Sequence, residues 1–473
     1  MRHVAVSIIL VCAVTGCASA TRSAPTTTAP SATVATTTPT GASSTSATTA
    51  STTIAATTTT AALPVPTVVL GAMSDLPAMT AAAYASSGST EVVVGNAIPA
   101  TPGSLELAVA ATRTAGGPWQ LVTIDDGKGY RPPTTASNNQ RGFAPYAVAA
   151  GPAGFVAVGS AAFFVGNVAK GSGGLVWFSP DGISWQRIDV RPAIANLDPS
   201  GLQLREVAAT ATGYVAVGIT GPRVLVLTSP DGVTWAQTTE FQATWALLPH
   251  ALFVDGNHVL VWLDEFDCLK DAFGNGAQPR LQWSDDAGAS FTEIPASLIA
   301  TIANIVPEPD PTTCEPLSHD LNQLSTMFNV SVGVVGIARG TIYVTSPDGA
   351  SVASSPDRVH WTKASLPTPP PAKDTVYLSR QQPGAVLGAA SGVVVLSGSG
   401  PAQAGQPKQL IGWLTRDNGA SWTSIKAGPL VDPAGTLSLT PNPDGHHVEL
   451  LFARTSPTGD VTGPPQVGAI TVG

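Results

Sequence analysis

A phrase of seven or eight residues that recurs along the chain constrains its fold more than any other feature. The copies read SPDGISW at Ser179, SPDGVTW at Ser229, SDDAGASF at Ser284, SPDRVHW at Ser355 and TRDNGASW at Thr415. Proline presets φ, aspartate accepts hydrogen bonds from nearby backbone N–H groups, and glycine adopts positive φ, so the phrase predicts a turn. The aromatic residue that ends each copy predicts an apolar anchor for the next strand. A turn repeated in this way indicates a series of similar folding units.

The sequence around each copy predicts four short strands. Residues 146–188 contain β-rich runs separated by glycine, proline and aspartate, and residues 204–239 repeat the same order. Units of four strands that recur every ~50–70 residues are typical of the blades of a β-propeller.

The five copies resemble the Asp-box, or bacterial neuraminidase repeat, whose pattern is Ser-x-Asp-x-Gly-x-Thr-Trp. The resemblance implies a sialidase-like β-propeller in which the box lies away from the active site. The matching residues, to which we therefore assign a structural role, are Asp181 and Trp185, Asp231 and Trp235, Asp286 and Phe291, Asp357 and Trp361, and Asp417 and Trp422.

The blade count follows from the aromatic anchors. Five boxes predict five blades, and residues 91–124 predict a sixth with Trp119 as its anchor. Three strands at the C-terminus lack a fourth, which residues 66–72 supply. We therefore predict an all-β domain over residues 64–473, a β-propeller of seven blades with four antiparallel strands each, whose last blade is closed by the N-terminal strand. A six-bladed ring is the alternative.

The N-terminus predicts an exported lipoprotein. Residues 1–16 contain a short basic start and an apolar run of signal-peptide length. The string Val14-Thr15-Gly16-Cys17 resembles the bacterial lipobox, which implies that Cys17 carries acyl chains in the outer leaflet of the cell membrane. Residues 17–63, rich in Thr, Ala, Ser and Pro, predict a disordered tether because they hold too little apolar area to offset the entropy of ordering.

Three long connections carry the sequence's candidate binding residues. Tight turns and boxes would occupy one face of the ring, so the long connections at 125–143, 160–173, 264–280, 295–328, 366–377 and 398–408 would share the other. An export compartment permits a disulfide between Cys268 and Cys314, which would join two of these connections. The candidate binding residues are Asp264, Glu265, Asp267, Asp271, Glu308, Asp310, Tyr130 and Arg131.

Composition excludes one class of partner. The formal net charge is −9 and no cluster of Lys and Arg could follow a phosphate backbone, so we expect no nucleic-acid partner. We expect a monomer without a cofactor and without a metal site. A Ca²⁺ ion among the acidic side chains is the alternative, although their spacing matches no standard calcium loop.

The choice between a binding module and an enzyme turns on the residues before the first box. The sialidase family places its first arginine in a Phe/Tyr-Arg-Ile-Pro motif, which this chain lacks. We therefore predict a propeller that binds an extracellular protein, peptide or glycan. The alternative is a glycoside hydrolase, either sialidase-like or dependent on two carboxylates.

Overall fold

The computed structural model describes the strands of the predicted propeller and the turns that join them. It describes residues 68–70, 74–98, 107–126, 128, 139–165, 168–195, 197, 201–221, 223–242, 246–266, 278–295, 335–346, 350–367, 384–389, 392–399, 409–429, 435–441, 447–454 and 464–472. These residues are almost entirely β-strand, with one short 3₁₀ helix at Arg191–Ala193.

Six sheets each contain four consecutive antiparallel strands, and we call each sheet a blade. Blade 1 contains β3 (Met79–Ser87), β4 (Thr90–Ala97), β5 (Ala108–Thr114) and β6 (Gln120–Asp125). Blade 2 contains β7 (Asn139–Gly151), β8 (Gly154–Val165), β9 (Val168–Ser179) and β10 (Gln186–Ile188). Blade 3 contains β11 (Gln203–Thr210), β12 (Gly213–Thr220), β13 (Arg223–Ser229) and β14 (Ala236–Gln242).

The next three blades repeat this order. Blade 4 contains β15 (Ala246–Asp255), β16 (His258–Phe266), β17 (Gln278–Ser284) and β18 (Thr292–Ile294). Blade 5 contains β19 (Val335–Ala338), β20 (Thr341–Thr345), β21 (Ser351–Ser355) and β22 (Thr362–Ser365). Blade 6 contains β23 (Gly384–Ala389), β24 (Gly392–Ser399), β25 (Gln409–Thr415) and β26 (Thr423–Pro429).

Both ends of the domain contribute to blade 7. Its strands β27 (Gly435–Pro441), β28 (His447–Arg454) and β29 (Gln466–Val472) are joined by β1 (Val68–Leu70) and β2 (Ser74–Asp75). The strand β1 pairs antiparallel with β29, with Val68 opposite Val472. The N-terminal strand therefore completes a sheet that the C-terminal strands leave open.

The seven sheets close into a ring. The first strand of each blade contacts the first strand of the next, from β3 through β7, β11, β15, β19 and β23 to β27, which contacts β3 again. Apolar side chains from neighbouring blades form shared clusters, as between blades 2 and 3 and between blades 3 and 4. The seven-bladed β-propeller predicted from the sequence is confirmed, and the six-bladed alternative is wrong.

Each repeated phrase forms the turn between the third and fourth strands of its blade. In blade 3 the Ser229 hydroxyl donates to Asp231 at 3.2 Å and accepts the Gly232 N–H at 2.8 Å. Asp231 accepts the backbone N–H groups of Val233 and Thr234 at 2.8 and 2.6 Å. The indole of the closing Trp235 donates back to the Gly232 carbonyl at 2.9 Å. The side chains of the phrase therefore satisfy the backbone of their own turn.

The turn glycine also lets each blade lie against the preceding one. Gly232 has φ +77°, and a Cβ there would lie 2.6 Å from the Phe178 ring and 2.9 Å from Val156, both in blade 2. Trp235 packs in the same cluster between blades 2 and 3. The phrase thus forms part of the packing between blades as well as a local turn.

Blade 5 carries Arg358 where the equivalent turns have glycine. Arg358 adopts φ +68° despite its side chain. Its guanidinium donates to both carboxylate oxygens of Asp285 in blade 4, at 2.8 and 2.7 Å, and lies 5.1 Å from the Trp283 ring centroid. A cavity of about 320 Å³ lies beside this contact. Blade 5 is therefore joined to blade 4 by an ion pair, whereas in the other blades a glycine lets the backbone of the turn lie close to the preceding blade.

Two of the predicted long connections are shorter than expected. Residues 160–173 continue β8 and β9 as paired strands, with Val165 opposite Val168. In blade 4, β16 extends to Phe266, so Asp264 and Glu265 lie in a strand and not in a connection.

Candidate binding site at the centre of the ring

The first strands form the inner wall of the ring, and four of them carry a β-bulge at the same place. The extra residues are Ala82 in blade 1, Tyr146 in blade 2, Arg205 in blade 3 and His250 in blade 4. A bulged residue is unpaired and its side chain is turned away from the regular alternation of the strand. In blades 1 to 3 a glycine of the second strand lies opposite, where a Cβ would lie 2.0–2.7 Å from a first-strand carbonyl oxygen.

The bulged residues of blades 2 and 3 contact each other. The Arg205 guanidinium carbon lies 5.0 Å from the centroid of the Tyr146 ring, within range of a cation–π interaction. The Tyr146 hydroxyl lies 2.8 Å from the Ser160 hydroxyl, and Arg205 Nη2 donates to Gln203 at 2.7 Å. Arg205 Nε is buried without a hydrogen-bond acceptor.

The bulged residue of blade 4 is fixed by two neighbours. His250 Nδ1 lies 2.8 Å from Asp264 Oδ2, and the imidazole stacks on the Trp262 indole with centroids 4.1 Å apart. Because a carboxylate only accepts hydrogen bonds, Nδ1 carries the hydrogen and Nε2 points away from Asp264. The other oxygen of Asp264 and the Trp262 Nε1 are buried without a partner.

Glu206, the residue after the bulge of blade 3, brings a carboxylate to this wall. Ala208, on the same side of β11, packs in the cluster between blades 3 and 4, so Glu206 lies on the side of β11 that faces blade 4. Glu206 is half-buried and receives no hydrogen bond from the described residues. Burial raises the pKa of Glu206 to about 7, against the opposing effect of the positive charge of His250 and Arg205. We call Tyr146, Arg205, Glu206, His250 and Asp264 the channel cluster.

The channel cluster includes one of the residues that the sequence predicted, Asp264. Glu265 lies beside it in β16, with a carboxylate oxygen 3.5 Å from Arg280 Nη1 in β17. The remaining candidates lie outside the described residues, and this includes the predicted lipidation and disulfide positions: Asp267, Asp271, Glu308, Asp310, Tyr130, Arg131, Cys17, Cys268 and Cys314.

Sequence reasoning missed four members of the channel cluster. Tyr146, Arg205, Glu206 and His250 lie in runs that read as ordinary first strands. The available signal was charge: Arg205 and Glu206 are adjacent in a strand that has no other charged residue, and His250 follows Pro249 in another strand.

The aspartates of the repeated phrase take part in turns and lie apart from the channel cluster. A hydrogen bond from the Thr234 backbone lowers the pKa of Asp231, and one from Ser184 does the same for Asp181. Both carboxylates therefore remain ionised acceptors at neutral pH, consistent with caps on a turn.

The described part of the chain contains neither a metal-binding group of side chains nor a membrane-spanning helix. No group of three or more His, Cys, Asp and Glu side chains is arranged there to hold a metal ion. None of its helices is long and apolar enough to cross a membrane.

Comparison with protein-family models found no match, and neither did comparison with curated protein sequences. Among solved structures, the chain is similar to YCF48 bound to D1 peptide, with 13% identity, a TM-score of 0.39 and coverage of 85% of this chain and 95% of that one. It is similar to Trypanosoma rangeli sialidase in complex with sialic acid, with 12% identity, a TM-score of 0.38 and coverage of 84% and 54%.

The chain is also similar to streptogramin B lyase, with 10% identity, a TM-score of 0.39 and coverage of 85% of this chain and 98% of that one. At these identities and TM-scores the similarities carry no inference about activity. Strand order and the contacts between blades show the propeller fold.

Proposed function

We propose that this chain is a lipoprotein of the bacterial cell surface whose propeller binds an extracellular protein, peptide or glycan at the channel cluster. The acyl chains on Cys17 anchor it in the outer leaflet, and residues 17–63 act as a spacer. The protein works as a monomer because one ring provides the whole site.

The unpaired carboxylate of Glu206 carries the proposal. Charged groups are rarely kept in a partly desolvated site without a hydrogen bond, because desolvation disfavours the ionised form. Glu206 has no hydrogen bond from the described residues, and its pKa is raised to about 7. A side chain that lowers the stability of the folded protein is expected at a binding site, where a ligand supplies the hydrogen-bond partner that the protein does not.

Unmatched polar atoms on strands of blades 3 and 4 support the same conclusion. Arg205 Nε and Trp262 Nε1 are donors without an acceptor, and Asp264 Oδ1 is an acceptor without a donor. Buried polar atoms are normally paired, so each of the three indicates a contact that a ligand could complete. Tyr146 and Arg205 add the residue types that most often anchor a binding partner.

A sialidase is disfavoured by the arginines. Sialidases hold the substrate carboxylate with three convergent arginines, whereas Arg205 is the one arginine with a described side chain on a first strand. The remaining alternative is a glycosidase with two carboxylates. Glu206 favours it, because a carboxyl group with a pKa near 7 can donate a proton at neutral pH.

The test is crosslinking from intact cells that express the full chain, followed by identification of the captured molecules. Wild type is compared with two channel variants, Glu206→Gln and Arg205→Gln. The control variant is Val233→Ser, because Val233 lies in a repeated turn and is 38% exposed. We expect the two channel variants to lose a partner that the control retains.

The enzymatic alternative has its own readout. Purified protein is incubated with chromogenic glycosides at pH 6 and pH 8, and release of the chromophore is followed for wild type and Glu206→Gln. Turnover that depends on Glu206 would favour the glycosidase, and partners that survive both channel variants would contradict the proposed site.

A further inference from the structure

We propose that Asp255 is a site of spontaneous isomerisation to isoaspartate, whereas the repeated turn protects its own Asp–Gly and Asn–Gly pairs from the same class of reaction. The reaction occurs where aspartate or asparagine precedes glycine, because glycine has no side chain to hinder attack by its backbone nitrogen. Four such pairs lie wholly within the described residues: Asp181–Gly182, Asp231–Gly232, Asp255–Gly256 and Asn418–Gly419.

The reaction requires a free glycine nitrogen next to a free side-chain carbonyl carbon. The nitrogen gives its proton to solvent and bonds to Cγ of the preceding residue, from which water leaves an aspartate and ammonia leaves an asparagine. A water molecule then opens the resulting succinimide ring. When it breaks the bond from nitrogen to the backbone carbonyl carbon, the chain continues through Cγ as isoaspartate. Aspartate thus loses and regains one water molecule, and no oxidant or reductant takes part.

The repeated turn engages both reacting groups. The N–H of Gly182 donates to the Ser179 hydroxyl at 2.8 Å, and the N–H of Gly232 donates to the Ser229 hydroxyl at the same distance. The Asp181 carboxylate accepts two further backbone N–H groups, at 2.8 and 2.7 Å. These hydrogen bonds must break before the glycine nitrogen can reach Cγ, so the turn slows the reaction.

The turn of blade 6 protects an asparagine in the same way. Asparagine is more reactive than aspartate before glycine, because its amide carries no negative charge to repel the attacking nitrogen. The Gly419 N–H donates to the Thr415 hydroxyl at 2.8 Å, and the Asn418 carbonyl accepts the Ser354 hydroxyl of blade 5 at 3.0 Å. The fold therefore protects the most reactive of the four pairs.

Asp255 and Gly256 lie in a different kind of turn. Gly256 and Asn257 join β15 to β16 as a two-residue turn, with Asp255 opposite His258. Gly256 is exposed and has φ +63°. Its carbonyl accepts the Ala211 N–H at 2.9 Å, but its own N–H donates to none of the described residues. The attacking nitrogen is thus open to solvent at this pair and engaged at the other three.

Isomerisation at Asp255 would weaken a contact between blades 4 and 5. Its Oδ2 accepts the backbone N–H of Gly340 in blade 5 at 2.7 Å. Isoaspartate adds a carbon to the main chain and carries its carboxylate on a shorter branch, so this hydrogen bond is lost. The ion pair between Arg358 and Asp285 still joins the two blades, so we expect the modified ring to remain closed.

The experiment measures the protection that the fold gives each pair. Full-length protein is incubated at neutral pH, folded in detergent or unfolded in guanidinium chloride, and isoaspartate is located by mass spectrometry with electron-transfer fragmentation. We expect folding to slow the reaction at Asp181, Asp231 and Asn418 at least about fivefold, the factor that corresponds to one hydrogen bond of ordinary strength. The rate at Asp255 should change little.

Two variants test the cause of the difference. Ser229→Ala removes the hydroxyl that accepts the Gly232 N–H, so the rate at Asp231 in the folded protein should rise about fivefold. Asp181 in the same molecule is the matched control and should keep its rate. Asp255→Glu should form no such product at residue 255, because the glutamate side chain is one carbon too long to close the same ring.

Protection of Asp255 equal to that of Asp181 and Asp231 would overturn the proposal. An unchanged rate at Asp231 in Ser229→Ala, in a sample shown by urea unfolding to be folded, would overturn the protective role of the hydroxyl. If Ser229→Ala does not fold, the comparison of folded and unfolded wild type decides the question, because it requires no substitution.

Discussion

Replacing Glu206 by glutamine should stabilise the protein at alkaline pH and leave its stability unchanged in acid. Burial raises the pKa of Glu206 from an ordinary value of 4.5 to about 7 in the folded state. Between these two pH values the unfolded chain has lost a proton that the folded chain still holds. The free energy of unfolding therefore decreases as pH rises through this interval, and the whole loss is present above pH 7.

The size of the effect follows from the shift. One pKa unit corresponds to about 1.4 kcal/mol, so an ionised Glu206 destabilises the folded state by about 3 kcal/mol at pH 8. Glutamine is nearly isosteric and cannot ionise. We expect Glu206→Gln to raise the free energy of unfolding by about 2–3 kcal/mol at pH 8, with the lower figure allowing for partial exposure, and by about zero at pH 4.

The assay is urea unfolding followed by tryptophan fluorescence at both pH values. Glu240→Gln is the matched control. It removes an ion pair with Arg223 and should lower stability by up to about 1 kcal/mol. A Glu206→Gln variant that is less stable than wild type at pH 8, or that gains equally at both pH values, would refute the reasoning.

Three further predictions concern the turns and the anchor. Gly232→Ala should lower the free energy of unfolding in urea by about 2–4 kcal/mol, because the added Cβ clashes with blade 2 and the backbone keeps a strained positive φ. Gly256→Ala should lower it by about 1 kcal/mol, because Gly256 has φ +63° but no atom within 4 Å of an added Cβ. Arg358→Ala should lose the contact with Asp285 yet keep the strain, so we expect it to be about 1 kcal/mol less stable than Arg358→Gly in the same assay. Cys17→Ser should remove the acyl chains and move the protein from the membrane fraction to the soluble fraction, with loss of labelled fatty acid. Equal stability within either pair of variants, or retention of Cys17→Ser on membranes, would contradict the corresponding prediction.

The architecture could be predicted from the sequence because it depends on local chemistry that is repeated. Each turn phrase specifies its own hydrogen bonds, as Asp231 and Ser229 illustrate. A closing aromatic such as Trp235 then specifies packing against the neighbouring blade. Because the phrase occurs five times, the fold can be predicted even though one copy departs from the pattern at Arg358. The contact of Arg358 with Asp285, which joins two blades, is evident only from the structure.

The channel cluster could not be predicted in the same way, because it depends on which strands face the axis. Tyr146, Arg205 and His250 are separated by more than forty residues from one to the next. A bulge at the same position of their three first strands aligns them, and an isolated strand sequence gives no clear sign of a bulge. Function often lies in long connections, which is why the sequence favours residues 264–280, yet Asp264 is part of a strand.

The most direct test of the account compares the two kinds of surface in one crosslinking experiment on intact cells. One variant combines Arg205→Gln with Glu206→Gln, and the other combines Ile183→Ser with Val233→Ser on the repeated turns, where these residues are 46% and 38% exposed. The account predicts that the channel variant loses its extracellular partner and that the turn variant keeps it. Retention of the partner by the channel variant, with loss in the turn variant, would contradict it.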